Sequence, residues 1–106
     1  MDEKIKRLLC ELKAALQSLY GDRLRGVYLY GSYAKGKADA ESDVDVLIVL
    51  DTIDHYAAEV DRTGYAAAEI SLRYGVSISR VFSSDRDWRR RATPFLQNAR
   101  EEAVPA

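Results

Sequence analysis

Residues 43–50 read Asp43-Val44-Asp45-Val46-Leu47-Ile48-Val49-Leu50, the strongest strand pattern in the chain. An extended backbone alternates its faces. Val44, Val46, Ile48 and Leu50 therefore share one side, and Asp43, Asp45, Leu47 and Val49 share the other. Upstream, Arg25–Tyr30 is a β-branched and aromatic run that stops at Gly31, and it reads as a neighbouring strand. Between the two lies SYAKGKADAES, residues 32–42, whose small, polar and charged composition predicts a short helical turn and an exposed loop.

The flanks supply helices. Ile5, Leu8, Leu9, Leu12, Leu16 and Leu19 recur by threes and fours, giving one apolar stripe on a helix that Asp2 caps and Gly21 ends. A second helix is expected from Asp51 or Thr52, with Ile53, Tyr56, Val60, Thr63, Ala67, Ile70 and Tyr74 on its inner face and Gly75 at its end. Val76–Phe82 reads as a third strand, and a last helix restarts at Pro94 behind a Thr93 cap. The order α-β-(short α)-β-α-β-α predicts an α/β (α+β) fold, a small mixed sheet with helices packed on one face and the other face open for a site.

Length and charge narrow the function classes. The chain has 106 residues, a formal net charge of -1 and a pI near 5.8. One domain, residues 1–106, is expected, burying roughly two-thirds of its unfolded surface. Without a basic field, charge-driven capture of nucleic acid is not expected. Cys10 is the single cysteine, which excludes an internal disulfide framework and a cysteine zinc cage. No apolar run approaches the roughly 20 residues that span a bilayer, and the acidic start of the N-terminus does not resemble a signal peptide. A cytoplasmic protein is expected.

The chemistry concentrates in two places, Gly31-Ser32 after the first strand and Asp43-Val44-Asp45 at the start of the second. Two carboxylates side by side repel unless a cation lies between them. Their hard oxygens suit Mg²⁺, which keeps waters and is shared with substrate phosphates. Gly31 lets backbone approach a ligand, and the amides after Ser32 open a helical turn, where N–H groups favour phosphate. An amide cradle beside a carboxylate pair is what nucleotidyl transfer requires.

The block GSYAKGKADAESDVDVLIVL, residues 31–50, resembles the signature of the polymerase-beta-type nucleotidyltransferase superfamily. The length, and the PFLQNAREEAV ending after a Trp-containing turn, are similar to its minimal MNT members. The resemblance implies that Gly31 and Ser32 bind the triphosphate of ATP or another nucleoside triphosphate, and that Asp43 and Asp45 hold Mg²⁺ and are the catalytic acids. Lys35 stands where such motifs often carry Arg, keeping the charge without the planar fork. The implied partner is a HEPN-domain protein, with AMP added to its hydroxyl in a toxin–antitoxin pair. The alternative is a catalytically weak fold that neutralises the same partner by binding it. A small-molecule nucleotidyltransferase is the third reading, and no acceptor-binding domain is seen for it.

Active members carry a third carboxylate on a later strand. Alternation puts Ser77 or Ser79 at that position here, whereas Asp85 and Asp87 lie past the strand end, and a partner could supply the acid instead. The remaining features read plainly. Cys10 is a boundary residue and His55 a solvated one. Arg89, Arg90 and Arg91 are a solvated cluster or a partner contact. Tyr28 and Tyr30 face the open side or an interface, and a homodimer or a HEPN complex would cover apolar surface.

Overall fold

The computed structural model describes residues 2–106. Helix α1 spans Glu3–Tyr20, with the Asp2 carboxylate accepting from the Lys4 amide at 2.8 Å as its N-cap. Its inner stripe is Ile5, Leu8, Leu9, Leu12, Leu16 and Tyr20. Leu19, expected on that stripe, is instead 45% exposed, and Tyr20 takes the buried place. A tight turn at Gly21–Arg23 leads into β1, Leu24–Tyr30.

Strand β2, Val44–Leu50, pairs antiparallel with β1, placing Tyr30 opposite Asp45 and Val27 opposite Ile48. The linking residues 31–43 form the short helical turn and loop expected of them. Lys35 N–H donates to the Gly31 carbonyl at 3.1 Å and Lys37 N–H to that of Ser32 at 2.9 Å. Helix α2 spans Tyr56–Tyr74 and ends at Gly75 in the left-handed region. It starts later than the expected Asp51 or Thr52. The Asp51 carboxylate accepts from the Thr52 amide at 2.7 Å and from Arg23 at 3.1 Å, so it fastens a loop instead of capping a helix.

Strand β3, Ile78–Ser84, begins two residues later than the Val76 expected and runs parallel to β2. Two elements were not foreseen. Helix α3, Asp85–Arg90, is capped by the Ser84 hydroxyl, which accepts from Asp87 N–H at 3.2 Å. After α4, Pro94–Glu102, the two residues Val104–Pro105 form β4 against β1. The sheet order is β3-β2-β1-β4.

Helices α1 and α2 pack on the face carrying Val27, Leu29, Val44, Val46, Ile48, Leu50 and Phe82. The opposite face is not open along its length. Trp88 of α3 and Leu96 and Ala99 of α4 cover Leu47 and Val49 and leave Asp45 at the rim of this second, smaller core. Tyr28 and Tyr30 belong to it, Tyr28 against Trp88 (ring centroids 5.0 Å apart) and Tyr30 edge-on to Phe95 (5.5 Å). Among the described residues, no helix is long and apolar enough to cross a membrane.

Candidate functional site

Asp43 and Asp45 flank the first residue of β2 and lie at one end of the sheet. The loop before them is tied by its own side chains. Asp39 N–H donates to the Ser42 hydroxyl at 3.0 Å, and that hydroxyl donates to the Asp39 carboxylate at 3.2 Å. Val44 N–H donates to the Ser77 carbonyl at 2.8 Å, fixing where the second strand begins. Asp43 is exposed and Asp45 half-buried. Burial, then the Asp43 charge, then Glu102, push the Asp45 carboxyl above its ordinary range. A carboxylate so placed is stabilised by a cation.

Gly31 follows Tyr30, the register partner of Asp45, and has a φ of 75°. A Cβ there would overlap the Asp45 carboxylate, so glycine is needed both for the left-handed backbone and for the close approach. Ser32 and Lys35 occupy the turn that follows, and Lys35 lies back over Gly31 through its backbone hydrogen bond. The structure thus brings Gly31, Ser32, Lys35, Asp43 and Asp45 to one sheet end.

One residue of the site was not anticipated. Glu102, at the C-terminal end of α4, accepts from Gly31 N–H at 3.0 Å, and its other oxygen meets Lys35 Nζ at 2.9 Å. The Lys35 hydrogen bond, outweighing partial burial and helped by the Gly31 amide, holds the Glu102 carboxyl below its ordinary range. The anion-binding character of Gly31 and Lys35 is therefore exercised within the chain itself. A cleft of about 500 Å³ beside them is lined by Tyr30, Phe95, Asn98 and Glu102. Burial, then Asp45 and other neighbouring groups, raise the Tyr30 hydroxyl to about 12, so it stays a neutral donor.

The parallel register separates the two positions expected for a third acid, setting Ser79 beside Asp45 and Ser77 one step earlier, toward Asp43. Ser79 is the register partner of Asp45 on the parallel strand, with its side chain on the same face. Ser77 precedes β3 and is exposed. Asp85 and Asp87 follow Ser84, the partner of Leu50 at the far end of the sheet. Asp85 is six residues beyond Ser79, roughly 20 Å along the strand direction, so neither acid reaches the site. Asp85 instead pairs with Arg89 at 2.5 Å, which accounts for one member of the arginine run. His55 is exposed ahead of α2 and Cys10 is exposed on α1. Among the described residues no group of three or more acids, histidines or cysteines is arranged to hold a metal ion. The pair fits a hard cation that completes its shell with water and phosphate oxygens, not an all-protein cage.

A sequence profile of the nucleotidyltransferase domain family matches residues 9–79. The chain belongs to that family. This nucleotidyltransferase is 32% identical to a candidate protein adenylyltransferase of Methanocaldococcus jannaschii over 92% of each chain. It is 34% identical to the protein adenylyltransferase MntA of Thermococcus cleftensis, over 67% of this chain and 70% of that one. Among solved structures, a minimal nucleotidyltransferase candidate superposes with a TM-score of 0.63 at 22% identity, over 100% of this chain and 97% of the other. A toxin–antitoxin complex with AMP-PNP gives 0.63 at 18%, over 89% of this chain and 68% of that one. At these identities the structural likeness is one of fold. Members of the family work with a divalent metal ion.

Proposed function

We propose that this nucleotidyltransferase transfers AMP from ATP to a hydroxyl of a partner protein, and that the partner is a HEPN-domain toxin it silences. The observation that carries the reading is the meeting of the Gly31 amide and Lys35 with Asp43 and Asp45 at one sheet end. The relative named as protein adenylyltransferase MntA and the fold shared with a toxin–antitoxin complex support the same assignment.

Gly31, Ser32 and Lys35 bind and orient the triphosphate, and Asp43 and Asp45 would hold Mg²⁺. When bound, that ion neutralises phosphate charge and polarises the phosphorus under attack. The acceptor hydroxyl oxygen attacks the α-phosphorus, the bond to the bridging oxygen breaks, and pyrophosphate leaves. Ser79, the register partner of Asp45, has no carboxylate to take up the proton, so the acceptor's proton leaves to solvent or to an acid of the partner. That position also favours a second reading, in which the domain binds nucleotide and partner but transfers slowly or not at all.

Intact-mass measurement of a co-expressed partner separates the two. An AMP adduct that appears with the wild type and vanishes with Asp45→Asn is the result expected. A stable complex whose partner carries no adduct in either case would leave the binding-only reading standing.

A further inference from the structure

The ladder between β1 and β4 pairs Leu29 with Val104 and Tyr28 with Pro105. In an antiparallel register, two residues further along β1 correspond to two residues back from β4. Gly31 thus falls opposite Glu102. The C-terminus is pinned in this register by Ala106 N–H donating to the Val27 carbonyl at 2.9 Å and by Lys13 Nζ donating to the Ala106 carbonyl at 3.0 Å. Glu102 is held there by backbone geometry.

Both oxygens of this carboxylate are engaged, one by a backbone amide and one by an ammonium group, and the side chain is only 24% exposed. An amide paired with a lysine is the donor set that a phosphate oxygen takes in a nucleotide cradle. Glu102 also adds negative charge next to Asp45, itself crowded by Asp43. An entering triphosphate must either displace the carboxylate or share its donors under like-charge repulsion.

We propose that Glu102 is an internal anion that occupies the phosphate cradle of the empty chain and is displaced by the nucleotide's phosphates. The inference rests on the cradle assignment above and deepens it. Free ATP meets a fraction of molecules already closed by their own carboxylate, and its apparent affinity falls by the competent fraction. A cradle closed nine-tenths of the time weakens binding about tenfold. A partner that draws Glu102 or the β4 strap away would raise nucleotide affinity without touching the nucleotide.

The test is calorimetric titration of the full chain with ATP and with inorganic triphosphate in EDTA, followed by the amide NMR signal of Gly31. Glu102→Gln keeps the shape but loses the charge facing Lys35, and Glu102→Asp keeps the charge but falls one methylene short. Glu101→Gln, at the exposed residue one position earlier, removes an equal charge that makes no such contact. The expected result is affinity raised about threefold to tenfold in both Glu102 variants and changed less than twofold in Glu101→Gln. Mg²⁺ binding in the absence of nucleotide should stay at the wild-type level. Unchanged or weakened triphosphate binding in the Glu102 variants, while ATP still shifts the wild-type Gly31 signal, overturns the inference and leaves the cradle standing. Loss of Mg²⁺ binding in Glu102→Gln also overturns it, by making Glu102 a metal ligand. A Gly31 signal that no nucleotide moves, in any variant, overturns the cradle assignment itself.

Discussion

Replacing Ser79 by Asp sets a third carboxylate beside Asp45. The two residues are register partners on parallel strands, with backbones about 4.8 Å apart and side chains on one face. Without a cation the added charge destabilises. Two carboxylates about 6 Å apart at an effective dielectric of ~20 repel by roughly 3 kcal/mol, which solvent at this half-exposed rim reduces to about 1–2 kcal/mol. For a domain of this size each kcal/mol moves Tm by roughly 4–8 °C, so Ser79→Asp should melt about 5–10 °C below wild type in EDTA. Mg²⁺ should reverse the loss. If the third acid tightens Mg²⁺ to a Kd of ~1 mM, then 10 mM Mg²⁺ contributes RT ln(1 + [L]/Kd), about 1.4 kcal/mol. Ser77→Asp is the control, because Ser77 is exposed and about 7 Å from Ser79 along the chain. Scanning calorimetry in EDTA and in Mg²⁺ reads the stability, and radiolabelled-ATP transfer with the partner present reads the chemistry. An equal Mg²⁺-dependent gain in Ser77→Asp, or none in Ser79→Asp, would refute the register argument. Brisk wild-type transfer that Ser79→Asp does not improve would mean that the partner supplies the third acid.

Gly31→Ala should cost about 1–2 kcal/mol through strain at its positive φ, and it should also push the Asp45 carboxylate out of place. Metal-dependent ATP affinity should then fall tenfold or more, as calorimetry would show. Asp43→Asn with Asp45→Asn should abolish Mg²⁺-dependent nucleotide binding while leaving the metal-free melting temperature unchanged or higher, since two like charges are removed; unchanged ATP affinity would remove the site assignment. Glu59 is buried, which alone would raise its pKa. Hydrogen bonds from Tyr20 and Arg62 and the charges of Arg62 and Arg23 prevail and hold it below the ordinary 4.5. Its stabilisation is therefore present above pH 4.5 and lost as pH falls through the depressed value, so Glu59→Gln should flatten the acid limb of a Tm-against-pH curve. Trp88 is 6% exposed between the Tyr28 ring and the Arg100 guanidinium, 5.2 Å from its ring centroid. Trp88→Ala should cost about 3–5 kcal/mol in urea unfolding.

Local patterns carried the reading a long way. Leu8, Leu12 and Leu16 repeat at helical spacing because one side of α1 must be dry, and that pattern is visible without coordinates. The alternation of residues 44–50 declares a strand, and the pairs Gly31-Ser32 and Asp43-Asp45 carry the local signal on which the proposed phosphate and cation chemistry rests. Helix α3 could also have been found, since Ser84 followed by Asp87 is a capping pattern. The start of α2 could not, because it depends on Asp51 being taken by Arg23, a residue 28 positions away.

Three matters were decided only when the strands came together. Alternation alone leaves Ser77 and Ser79 equivalent, because both lie on the same face; the parallel register between β2 and β3 selects Ser79 as the neighbour of Asp45. The second sheet face looks open in a one-dimensional pattern, since α3 and α4 are short and carry few apolar residues, yet Trp88, Leu96 and Ala99 together cover it. Glu102 stands 71 residues from Gly31, and a glutamate near a chain end has no local signal for binding an amide that far away. Spacing within one segment reports which side of a helix or strand a residue faces, because backbone periodicity is local. Which segments meet, and therefore which charges share a site, is set by non-local pairing, and here that pairing brings Glu102 to the cradle.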